Sequence, residues 1–180
     1  SATDGFYKNP AIALPFPPDA QFVKDKALEL KLDGKITQFE TTLNRAAEEA
    51  SKEATPIFVD AIKEMSIGDG FEILKGADNA ATNYLRDKTT SKLVTAFSPK
   101  VGSAIDKVSL TKYWTPLTKA YNIAMFGKEA KEINTDLNAY ITEKAITGLF
   151  SLVEKEEKSI RKDPIARVSD ILKKVFSTLD

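Results

Sequence analysis

Apolar residues along this chain recur at the three- and four-residue spacing of a helical face, and no useful run alternates in the two-residue rhythm of a strand. From Phe39, "FETTLNRAAEEASKEA" places Phe39, Leu43, Ala46, Ala47 and Ala50 on one stripe. After Thr55-Pro56 the stripe resumes with Phe58, Ala61, Ile62 and Met65, which predicts a long helix kinked or broken in its middle. Asp78–Phe97 carries Ala81, Tyr84, Leu85, Leu93 and Phe97 at the same spacing. Helices are also predicted over Asp19–Leu32, Ile67–Lys75, Ser98–Val108, Leu110–Phe126, Asn134–Lys162 and Asp163–Phe176.

Four of the eight prolines lie between Pro10 and Pro18, so residues 1–17 are expected to form an extended, Pro-rich N-terminal arm. The other four follow capping-type residues, in Thr55-Pro56, Ser98-Pro99, Thr115-Pro116 and Asp163-Pro164. A Ser, Thr or Asp side chain accepts from the free amides of a first turn, and Pro just inside that turn loses no hydrogen bond. Each pair therefore reads as the start or restart of a helix. The expected fold is all-α: a single irregular domain over residues 1–180 with about seven or eight helices.

Composition fits one globular domain. The 180 residues are 42% hydrophobic and 29% charged, with 26 basic and 26 acidic side chains and no net charge. This balance offers no basic footprint for nucleic acid and no polybasic membrane anchor. There is no Cys and no His, which excludes thiolate nucleophiles, zinc-thiolate sites, Ser-His-Asp triads and His-based metal centres. No metal and no cofactor is expected. The apolar stretch "AITGLFSLV" is too short to span a bilayer. A first residue that is Ser rather than Met reads as a trimmed product whose targeting signal has been removed.

Four stretches could carry chemistry. In "SIGDGFEILKGADNAATNYLRDKTT", Ser66 and Asp69 have capping-box spacing, Gly76 stops the short helix and Asp78 caps the next one. Caps account for these residues without a ligand, and the patterns of calcium and phosphate loops are absent. In "NRAAEEA", Arg45 has Glu48 and Glu49 within reach, while Asn44 and Glu48 share a face with small alanines. A solvated salt-bridge face, a buried polar network and a catalytic site all remain open there. In "EKEEKSIRKDPIARV", Glu154–Lys158 and Glu157–Arg161 are acid-before-base pairs at i,i+4, and Arg167 follows Asp163 by four residues. These read as structural pairs. Tyr113, Trp114, Leu117, Tyr121 and Met125 form the densest aromatic and soft-apolar patch; it reads first as core and, where exposed, as a surface for a partner or apolar ligand.

Several blocks taken in order, "DGFYKNPAIALPFP", "NRAAEEA" with "IFVDAIKEM", "ILKGADNAATNYL", "LNAYITEKAITGLF" and "EEKSIRKDPIARVSDILKKVF", make the chain similar to the bacterial family known as domain of unknown function 4197. The resemblance runs from Asp4 to Phe176 and is thinnest over Lys100–Glu132. It implies secretion or lipoprotein signals upstream, hence an envelope location, expected to be periplasmic. It also implies a further helical segment before the Asp-Gly-Phe block, whose loss is expected to uncover an apolar groove. The resemblance supplies no activity. Its matching polar positions, where a shared network is expected, are Asn44, Arg45, Glu48, Thr82, Tyr84, Tyr140, Glu157, Arg161, Asp163 and Arg167.

The expected function is that of a non-catalytic envelope protein that binds a protein partner or an apolar small molecule through its helical grooves. A structural or assembly module is the first alternative. An enzyme is the second, and it requires Glu48, Glu157, Arg45, Arg161 and Tyr140 to converge in one cleft.

Overall fold

A 3-10 turn over Pro18–Ala20 leads into α1 (Gln21–Glu29), followed by α2 (Asp33–Ser51), α3 (Ala54–Lys63), α4 (Ile67–Lys75), α5 (Ala80–Lys107) and α6 (Leu137–Lys162). The computed structural model describes residues 5–29, 31, 33–107, 114 and 136–163; among them there is no strand. The helix predicted over Leu110–Phe126 and the one over Asp163–Phe176 lie outside the described residues, apart from Trp114 and Asp163.

Several boundaries fall where local chemistry places them. Pro18 opens the first turn, where its missing N–H removes no bond. Ser66 Oγ accepts from the Asp69 amide at 3.1 Å while the Asp69 carboxylate accepts from the Ser66 amide at 2.9 Å, so the capping box of α4 closes in both directions. Asp136 caps α6 by accepting from the Ala139 amide.

Other boundaries depart from the sequence pattern. The helix expected to begin at Phe39 starts at Asp33, whose carboxylate suits the positive end of the helix, and Ile36 extends the buried stripe backwards. The break between α2 and α3 falls at Lys52-Glu53, so Thr55 is not a cap and Pro56 sits inside the first turn of α3. Ser98-Pro99 does not start a helix: α5 runs straight through it. An interior proline costs about 3 kcal/mol, yet Leu93, Phe97, Val101 and Ile105 form one buried stripe on both sides of it. At roughly 1.5–3 kcal/mol for each buried side chain, the stripe outweighs the proline.

Residues 5–17 hold no helix, but they are not an extended arm either. The Asn9 amide donates to the Phe6 carbonyl, the Asn9 carbonyl accepts from Ile12 and Ala13, and the Asn9 side chain accepts from Ala11. An Asx-type turn at Asn9 thus folds the segment back on itself. This strap buries Phe6, Ile12, Leu14 and Phe16.

The core forms where α2, α5 and α6 pack on one another. Leu43, Ala46, Ala47 and Ala50 of α2 face Leu93, Phe97 and Val101 of α5 and Ile141, Ala145 and Phe150 of α6. The alanines allow close approach, and the strap fills the seam. Phe6 lies so near α6 that a Cβ at Gly148 would meet its ring at 3.1 Å and Ile12 at 3.3 Å. Helices α3 and α4 lie on α5, while α1 lies on α2.

Candidate functional site

Two buried carboxylates organise the polar interior. Glu48 on α2 accepts from the Phe6 and Tyr7 amides at 3.1 and 3.4 Å through one oxygen, and from Arg45 Nη1 at 2.8 Å through the other. One turn earlier, Asn44 Oδ1 accepts from the Leu14 amide at 2.8 Å, while its Nδ2 donates to the carbonyls of Leu14 and Glu40. Asn44 is 2% and Glu48 6% exposed, so both are interior polar groups matched to strap backbone that would otherwise be buried unpaired. Burial pushes the Glu48 carboxyl up, but Arg45 and the two strap amides outweigh it and hold the group below the ordinary carboxylate value.

Glu157 on α6 does for helix ends what Glu48 does for the strap. Its carboxylate accepts from the Ala81 and Thr82 amides at 2.9 and 2.8 Å, and from Thr82 Oγ1 at 2.7 Å. These amides belong to the first turn of α5, so the cap comes from a residue 75 positions away rather than from Asp78. Arg161, one turn on, donates to Glu157 and also to the carbonyls of Ile73 and Leu74 at the end of α4. An anion sits on a helix N-terminus and a cation on a helix C-terminus, each opposing the local dipole. Burial pushes Glu157 up; the Ala81 amide, the Thr82 hydroxyl and amide, and Arg161 together bring it below its ordinary value.

The candidate polar positions therefore divide. Asn44, Arg45 and Glu48 form one cluster; Thr82, Glu157 and Arg161 form another. They do not converge: Phe6, bonded to Glu48, lies against Gly148, and Glu157 is nine residues or ~13 Å further along α6. Tyr140 sits seventeen residues before Glu157 on the same helix, ~25 Å away. Tyr84 is half-buried beneath Lys88, about 200° around α5 from Thr82. Asp163 ends α6. Arg167, Tyr113, Leu117, Tyr121 and Met125 lie outside the described residues. Trp114, a candidate surface residue, is 3% exposed and sits with Phe16 and Phe39 at ring distances of 5.7 and 5.6 Å; it belongs to the core. Its indole completes the cluster started by the strap.

A concave feature lies elsewhere among the described residues. A groove of about 740 Å³ runs between α5 and α6. Its walls are Thr90 and Val94 on α5, with Ala139, Ile146 and Phe150 on α6. Arg86 marks one end, with its guanidinium 5.3 Å from the centre of the Phe150 ring. At the other end Ser98 and Asn138 exchange two hydrogen bonds: Ser98 Oγ donates to Asn138 Oδ1 at 3.0 Å, and Asn138 Nδ2 donates to the Ser98 carbonyl at 2.9 Å. Thr142 also donates to Asn138, and Gly102 leaves room for the amide, since a Cβ there would stand 2.9 Å from Asn138 Nδ2. None of the groove residues was a sequence candidate. The signal that could have found them is the pairing of a Thr90/Val94/Ser98 stripe with an Ala139/Ile146/Phe150 stripe, which requires knowing that α5 and α6 are antiparallel neighbours.

A second apolar feature is exposed. Val59 and Ile62 on α3, with Ile67 and Phe71 on α4, are all open to solvent; Ile67 is 83% and Phe71 57% exposed. Among the described residues no group of three or more acidic side chains could hold a metal ion, and no helix is long and apolar enough to cross a membrane.

The chain belongs to a family described as a protein of unknown function, DUF4197, whose model matches residues 1–177. No curated protein and no solved structure matches it.

Proposed function

We propose that the protein is a non-catalytic bacterial envelope protein that holds a partner or an apolar ligand in the groove between α5 and α6. The observation that carries this is the groove itself: about 740 Å³, with Val94, Ala139, Ile146 and Phe150 as its apolar wall, threonine side chains among them, and charged groups at Arg86, Asp136 and Glu143. Small-molecule sites are concave, mostly apolar and of ~300–1,000 Å³, with a few polar groups that fix orientation. The paired-carboxylate chemistry an enzyme would need finds no support, because Glu48 and Glu157 lie in separate clusters and each already accepts several donors.

Native mass spectrometry of protein purified from its own host tests the proposal. A bound small molecule or peptide that is lost from a Val94→Asp variant supports it; an adduct that survives this change places the ligand elsewhere. The periplasmic location, with a lipoprotein anchor as its variant, is likewise proposed, on what the family resemblance implies. Fractionation of host cells tests it: recovery in the cytosolic fraction counts against both forms.

A structural or assembly role is favoured by one observation, the exposed apolar corner of Val59, Ile62, Ile67 and Phe71. It expects a discrete oligomer in sedimentation velocity, which substitutions at that corner dissolve.

A further inference from the structure

Resting on the reading that the α5–α6 groove holds a ligand, we propose that its occupant is an amphipathic monoanion with one unbranched aliphatic chain, its head on Arg86 and its chain along Val94 and Ile146. Arg86 is the one cation among the groove residues. The other arginines whose side chains are described are committed to carboxylates, Arg45 to Glu48 and Arg161 to Glu157. Among the described residues Arg86 pairs with no carboxylate; its guanidinium is instead held over Phe150. A guanidinium held against a ring and paired with no carboxylate keeps its N–H donors available to the fork of a carboxylate ligand. Arg86 is thereby positioned without being neutralised.

The rest of the groove sets the chain and the direction. Beyond Arg86 the walls carry Val94, Ala139 and Ile146, with Thr90, Thr142 and Thr147 among them, and Val94 is 44% exposed along the opening. From Arg86 to Ser98 is twelve residues of α5, a length of ~18 Å. Further along lie two carboxylates, Asp136 at the far end, where it caps α6, and Glu143 on α6 about midway towards Phe150. A second negative charge there meets two carboxylates, so a dianion is disfavoured and a monoanion is oriented with its head at Arg86. A neutral apolar molecule would leave the guanidinium without its counter-charge.

Isothermal titration calorimetry with dodecanoate and with dodecyltrimethylammonium, below their micellar concentrations, separates the contributions of head and tail. Arg86 and Val94 are both exposed, so Arg86→Gln and Val94→Asp are expected to keep the fold, with circular dichroism melting as the check. The wild type is expected to bind dodecanoate about tenfold more tightly than the ammonium, since charge-assisted hydrogen bonds carry the difference. Arg86→Gln is expected to abolish that preference, and Val94→Asp to weaken both ligands. Equal affinity for the two heads in the wild type, with both weakened by Val94→Asp, overturns the proposal and leaves the groove reading standing. Binding that Val94→Asp leaves unchanged overturns the groove reading itself. No binding of either compound overturns the proposal, and the host-purified protein then decides the groove separately.

Discussion

Replacing Glu157 by Gln keeps the shape of the side chain but removes its charge and puts two donors where the donors of Thr82, Ala81 and Arg161 now converge. The cost follows from burial. Glu157 is 7% exposed, and the guanidinium of Arg161, which bonds it at 2.9–3.0 Å, is almost as deep. Removing one member of a buried ion pair costs about 3–5 kcal/mol, and the lost cap on the first turn of α5 is part of that sum rather than an addition to it. Taking about 3 kcal/mol, and 2–4 °C per kcal/mol at this chain length, the melting temperature is expected to fall by roughly 6–12 °C. Glu154→Gln is the internal control. Glu154 makes the same acid-before-base i,i+4 contact, with Lys158 at 2.5 Å, but on an open face, so its loss is expected to change the melting temperature little. The pH dependence adds a second test. Because the folded Glu157 carboxyl sits below its ordinary value, its contribution is complete above the unfolded pKa and is lost as pH falls through the folded one. The gap between wild type and Glu157→Gln in urea unfolding is therefore expected to be flat at neutral pH and to close on acidification. If Glu157→Gln costs no more than Glu154→Gln, the helix-end junction is not held by this carboxylate.

Asn44→Ala leaves the Leu14 amide and carbonyl without their side-chain partner, and a loss of about 1–3 kcal/mol in urea unfolding is expected, with faster proteolysis within residues 5–17. Gly148→Val forces a side chain into Phe6 and Ile12, and is expected to cost about 1–3 kcal/mol through overpacking; a melting temperature equal to wild type would show that the strap gives way freely. The double variant Ile67→Asp, Phe71→Ser removes exposed apolar surface and is expected to leave the melt unchanged; in sedimentation velocity it dissolves an oligomer if the corner is an assembly face.

Local chemistry was legible in the sequence wherever the partners are local. The Ser66–Asp69 box and the break near Pro56 depend on residues within one turn, and the helical period of the apolar positions exposed the all-α class. What failed was everything decided across the chain. Asp78 has the residue type of a cap, but Glu157 takes the role because α6 brings a carboxylate to the open amides of α5. Ser98-Pro99 has the look of a helix start, but a buried stripe continues through it. Glu157–Arg161 and Glu154–Lys158 are the same pattern in sequence; only the packing of α4 and α5 separates a buried junction from a surface pair. The "NRAAEEA" alanines did signal a close helix contact, and Asn44 and Glu48 prove to be interior polar residues. Their partners are backbone groups of the strap, which no side-chain pattern announces. The groove was invisible for the same reason, since its two walls are about fifty residues apart.

Native mass spectrometry on host-purified wild type and Val94→Asp, run side by side, bears most directly on the claim that the α5–α6 groove binds a ligand. The expected result is a non-covalent adduct on the wild type that is absent or sharply reduced on the variant, with both proteins folded. Bare protein in both samples, or an adduct of equal occupancy in both, would contradict it.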